Sequence, residues 1–135
     1  MTNAQSDLRV ILAEVERADR TYSEDIESHY ESLLLFLKAN EDRRGELAAE
    51  IVSIVKSYRH AHTGLHIRLS IDGLAYCIHE LRWAEVESAV KHEQREYFSQ
   101  RMSNTLTRLQ ESFSDGWGEA GDYRRYRGGD DHGSN

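Results

Sequence analysis

Five residues of this chain have side chains of the kinds that hold transition metals: His60, His62, His66, Cys77 and His79. Neutral imidazole and thiolate are the usual donors to zinc. Their spacing does not gather them. His60 and His62 are two residues apart and diverge on a helix, and a helix starting near Leu65 would carry His79 about 20 Å along its axis from His66. The favoured reading is of dispersed histidines near a helix C-terminus, where a partly charged imidazole is stabilised. No metal and no other cofactor is expected. A metal-binding helical protein using His60, His62 and His66 is kept as an alternative.

Other catalytic patterns are incomplete. His79-Glu80 begins a zinc-protease helix motif, but position 83, where the second histidine would stand, is Trp83. Carboxylate pairs such as Glu24 with Glu27, or Glu27 with Glu31, share a helical face, but without an apolar pocket to raise a pKa they read as solvated surface. The chain contains no nucleophile elbow, phosphate loop or dinucleotide fingerprint. Its one cysteine lies in the apolar run Leu74-Ala75-Tyr76-Cys77-Ile78, which suits a small buried hydrophobe. The chain is not expected to be an enzyme.

Charge gives the more pointed reading. The net charge of −7 repels phosphates and anionic membranes and favours basic partners. Glu14, Glu16, Asp19, Glu24, Asp25, Glu27 and Glu31 crowd a stretch whose opposing cations are Arg17 and Arg20. An acidic helical face can steer a basic protein onto itself. Glu24, Asp25, Glu27 and Glu31, with Tyr30 as an aromatic anchor, are the candidate partner-binding residues. Near the end, Tyr123-Arg124-Arg125-Tyr126-Arg127 mixes cations and rings as RNA-stacking segments do. In an acidic chain the preferred reading is a strap folding back on the body's carboxylates, with nucleic acid an unlikely ligand and an RNA-binding accessory protein an alternative.

These residues must be positioned by helices. Proline is absent, and six of the nine glycines lie beyond position 115, so helix-breaking residues are concentrated at one end. The expected fold class is all-α, a compact bundle of five or six helices over residues 1–114, followed by a flexible, disordered Gly-rich tail over 115–135. Ser6 or Asp7 caps a first helix with the stripe Leu8, Ile11, Leu12, Val15 and Ala18. Thr21-Tyr22-Ser23-Glu24 matches a capping box opening a second helix from Tyr22 to Ala39. That helix contains Leu33, Leu34, Leu35, Phe36 and Leu37, apolar almost all round, so it is buried on several sides or pairs with a second copy in a homodimer.

Asn40 reads as the stop of this helix and the cap of a third carrying Leu47, Ala48, Ile51, Ile54, Val55 and Tyr58. Residues 65–71 alternate as a strand would, but Ile67, Ile71, Leu74, Ile78 and Leu81 also fit a helix. A lone strand would leave its backbone groups unpaired, so a helix from Leu65 to Leu81 is preferred. Residues 84–113 would make a helix about 45 Å long, more than a domain this size can pack, so a break near Ser99 is expected. Trp117, Tyr123 and Tyr126 can pin the start of the tail.

The segments Glu46–Tyr58 and Gly73–Glu87, with the corner Leu81-Arg82-Trp83-Ala84-Glu85-Val86, resemble the antiparallel helix pairs of HEAT-like proteins. The resemblance covers about a third of the chain and implies a HEAT-like helix hairpin and a scaffold or binding surface of the kind used by bacterial immunity and adaptor proteins. Arginine outnumbers lysine 14 to 3, as GC-rich genomes favour, so a bacterial source is expected. No run reaches the roughly 18 apolar residues that span a bilayer, and Met1 to Asp7 has no signal-peptide pattern, so a cytoplasmic location without membrane contact is expected. The combined expectation is a small acidic protein-binding module that neutralises or regulates a basic partner.

Overall fold

The computed structural model describes residues 3–63, 67–96 and 100–127. Among them there is no strand, and no helix is long and apolar enough to cross a membrane. The helices are α1 (Asn3–Arg20), α2 (Ile26–Ala39), α3 (Arg44–Ser57), α4 (Ile71–Leu81), α5 (Ala84–Glu96) and α6 (Gln100–Glu111), with one further helical turn at 124–127.

Each long helix packs mainly on two others, in a closed circuit running α2, α1, α3, α5, α6, α4 and back to α2. The buried stripes meet inside this ring as one core. It includes Leu8 and Leu12 of α1, Leu33, Leu34 and Leu37 of α2, and Leu47, Ile54 and Val55 of α3. Leu74, Tyr76 and Ile78 of α4, Trp83 at the corner, Val86 and Val90 of α5, and Leu106 and Leu109 of α6 complete it. The segments read as a helix pair, α3 and α4, have different principal neighbours: α3 packs on α1 and α5, and α4 on α2 and α6.

Local chemistry explains where the elements begin and end. α1 starts at Asn3, so Ser6 and Asp7 lie within the helix and do not cap it. The capping box at 21–24 is not formed. Thr21 turns its hydroxyl back to the Arg17 carbonyl at 2.9 Å, and Tyr22 adopts a left-handed φ of 53°, so both residues close α1. Asp25 starts α2 instead, accepting the Ser28 N–H at its side chain. Asn40 caps backward, its side-chain N–H donating to the Phe36 carbonyl, and a 3₁₀ turn at Glu41–Arg43 separates it from α3.

Residues 67–70 are neither helix nor strand, which corrects the expected helix start at Leu65; residues 64–66 lie outside those described. Ser70, extended at ψ 157°, accepts the Gly73 N–H and starts α4 at Ile71. Gly73 is required there: a Cβ would meet the Leu69 side chain at 2.9 Å and the Tyr30 ring at 3.0 Å. Residues 97–99, where the break near Ser99 is expected, lie outside the described residues.

The run 33–37 serves the chain's own core. Leu33, Leu34 and Leu37 are buried between neighbouring helices, Phe36 is half-buried, and Leu35 is the exposed member at 50%. The expected division after 114 does not mark the end of packing. Trp117 is buried, Tyr123 and Tyr126 pack against the core, and residues 128–135 lie outside those described.

Candidate functional site: an acidic and aromatic groove between two helices

α2 and α4 run side by side, and each presents groups spaced four residues apart. Glu27 and Glu31 line the α2 side; Tyr76 and Glu80 line the α4 side. The Tyr76 hydroxyl bridges the helices, donating to Glu31 at 2.6 Å and approaching Glu27 at 3.2 Å. Tyr30 and Tyr76 form the floor with ring centroids 5.7 Å apart, and His79 extends it along α4. Gly73 allows this approach, since any side chain at its position would collide with the Tyr30 ring.

Residues 117–127 fill the groove. Trp117 stacks on Tyr123 at 5.8 Å and lies 4.9 Å from the His79 ring. Tyr123 meets the Tyr76 ring edge-on at 5.1 Å. Tyr126 sits over Tyr76 and His79, and its hydroxyl donates to the Tyr76 carbonyl. Between these rings the two arginines face the carboxylates. Arg124 donates to Asp25 at 2.9 Å, and Arg125 donates to Glu31 at 2.7 Å and lies 3.6 Å from Glu80. The Glu27 carboxylate binds main chain, accepting the Arg124 N–H at 2.7 Å and the Arg125 N–H at 2.9 Å. A carboxylate in this position also favours the positive end of the helical turn at 124–127.

The electrostatics follow from these contacts. Burial pushes the Glu27 carboxyl up, but the Arg125 and Arg124 N–H groups, the Tyr76 hydroxyl and the Arg124 guanidinium outweigh it, leaving its pKa below the ordinary carboxylate value. The hydrogen bond from Arg124 holds Asp25 low as well. Burial next to Glu31 drives the Tyr76 phenol well above its usual value, so it remains a donor. Cys77 is buried beneath this layer, within electrostatic reach of Glu31 and Arg125, and burial pushes its thiol up far enough to suppress the thiolate. The assembly is equipped to hold guanidinium groups and stack rings.

The structure thus brings together Asp25, Glu27 and Glu31 of the expected partner-binding set, with Glu24 exposed at the edge. Tyr30 is the correction: at 3% exposure with residues 117–127 seated, its hydroxyl donates to Asp19 at 2.6 Å and its ring forms part of the groove floor, so it is not an exposed anchor. Tyr76, His79 and Glu80 were not singled out as partner-binding residues. The i, i+4 relation of Tyr76 and Glu80, repeating that of Glu27 and Glu31, was the signal available.

Of the histidines, His60 lies in the 3₁₀ segment Tyr58–Thr63, while the His62 side chain and His66 fall outside the described residues. His79 places Nδ1 3.0 Å from the Ser112 carbonyl. Among the described residues no group of three metal-ligating side chains converges. A cavity of about 220 Å³ lined by Arg9, Leu12, Ala13, Glu16 and Arg68 lies elsewhere, and its two arginines already face Glu50.

Comparison with protein-family models, with curated proteins and with solved structures returned no match.

Proposed function

We propose that the protein is a binding module that takes a basic protein partner on its α2–α4 acidic face, neutralising or regulating it as immunity proteins and antitoxins do. One observation carries this reading: Asp25, Glu27, Glu31 and Glu80 are arranged so that two arginine side chains and two main-chain N–H groups are held at once. Isolated surface carboxylates gain little from a cation, whereas a converging set on a rigid aromatic floor adds geometry to charge.

The test is affinity capture by the purified full chain from cells of its source at low ionic strength, in parallel with an Asp25→Lys, Glu31→Lys variant of matched helicity. The reading expects a captured protein of high isoelectric point whose association slows as salt rises and is lost in the variant. A captured partner that is acidic, or that binds the variant equally, contradicts it.

A further inference from the structure

The segment in the groove is itself a description of what the groove accepts. Four features of residues 123–126 are read separately. Their main chain is read by Glu27, the first arginine by Asp25, the second by Glu31 and Glu80, and the flanking rings by Tyr30, Tyr76 and His79. The features lie on one helical turn at 124–127, with Tyr123 directly before it.

The hold is uneven along the segment. Trp117 is buried and anchors one end. Beyond it the chain passes Gly118 and Gly121, where an added Cβ would meet nothing within 4 Å, while between them Glu119 pairs with Arg108 at 3.1 Å and Ala120 packs against the core. Arg124 is 62% exposed and screened by water, while Arg125 is 24% exposed. The second arginine is therefore held more closely than the first.

We infer that the α2–α4 groove is a receptor for a basic protein segment in which two adjacent arginines lie between aromatic residues on one helical turn, and that residues 123–127 are the chain's own copy, occupying the site until a partner's copy displaces it. The inference rests on the binding role proposed above and specifies the partner's chemistry. Charge complementarity and the seated segment identify the occupant. A tethered copy lowers the apparent affinity for any competitor by the fraction of time the site is open.

The test uses a fluorescein-labelled peptide with the sequence of residues 118–127, followed by anisotropy at low ionic strength. It is titrated with the full chain and with a full-chain variant carrying Arg124→Ala, Arg125→Ala and Tyr126→Ala, which takes both arginines and the closing ring from the seated copy without altering the α2 and α4 walls. The variant is expected to bind the peptide, the unmodified chain to bind it at least about tenfold more weakly, and a peptide with both arginines replaced by alanine to bind neither. A variant of native helicity that fails to bind, or equal binding by both chains, overturns the proposal. If the triple variant loses helicity, Arg125→Ala alone provides the same comparison. Concentration-dependent dimers of the unmodified chain that vanish in the variant would identify a second copy as the occupant and overturn the assignment to a partner. Peptide binding without any basic protein captured by the chain would instead refute the broader role and leave the groove's specificity standing.

Discussion

Replacing Tyr126 by alanine removes the ring that closes the groove over Tyr76 and His79, together with the hydrogen bond to the Tyr76 carbonyl. A half-buried tyrosine ring takes about 100 Å² of apolar surface from water, worth about 2.5 kcal/mol, and the hydrogen bond, to a carbonyl already inside a helix, adds about 0.5 kcal/mol. A loss of about 3 kcal/mol shifts the balance between docked and released segment by about 100-fold. Cys77, the chain's one thiol, is buried next in sequence to Tyr76, the residue whose ring lies under Tyr126, and serves as the reporter of this balance. In the unmodified chain its reaction with a disulfide reagent is slow. In Tyr126→Ala it is expected to accelerate about 100-fold with far-ultraviolet circular dichroism unchanged, in proportion to the open fraction. Arg124→Ala, whose guanidinium stays in water, is expected to produce a far smaller change. A labelling rate in Tyr126→Ala within threefold of the original would refute the reasoning, since the thiol would then be reached by a route independent of the segment.

Acidification should release the segment. Glu27 has a folded-state pKa below its unfolded value, so its contribution is present above the unfolded value near 4.3 and is lost as pH falls through the lower folded one. Tyrosine fluorescence should therefore be flat from pH 7 to about 5 and change below about pH 4; a midpoint at or above pH 6 would contradict this assignment. Gly73→Ala gains about 1 kcal/mol of helix propensity but forces a methyl group against the buried Leu69 and Tyr30 side chains. Overpacking there should outweigh the gain and cost about 1–2 kcal/mol net in urea unfolding, and a more stable variant would show that α2 and α4 are not held this close.

Elements with one buried stripe were legible from spacing alone. Leu8, Leu12 and Val15 point inward on α1 because a 3.6-residue period leaves no other face apolar. Helix starts were less legible, because the deciding contacts run either way along the chain. Thr21 and Asn40 have the chemistry of N-caps, but both spend their side chains on the helix behind them. The run 33–37 left burial on several sides and pairing with a second copy both open, because its burial against its own neighbours depends on packing that a single helix does not reveal. The groove was half legible. An acidic stretch and an arginine-tyrosine segment could be matched by charge, but placing Glu80 and Tyr76 opposite Glu27 and Glu31 required knowing that α4 lies along α2.

The central claim is that residues 123–127 lie in the α2–α4 groove with the Glu27 carboxylate on their main chain. The most direct measurement is amide hydrogen exchange by nuclear magnetic resonance at Arg124 and Arg125 in the full chain, compared with Glu27→Ala. Protection of both amides that collapses in the variant, while the amides of α3 and α5 are unaffected, is the predicted result. Exchange at both positions as fast as in an unstructured peptide would contradict the account.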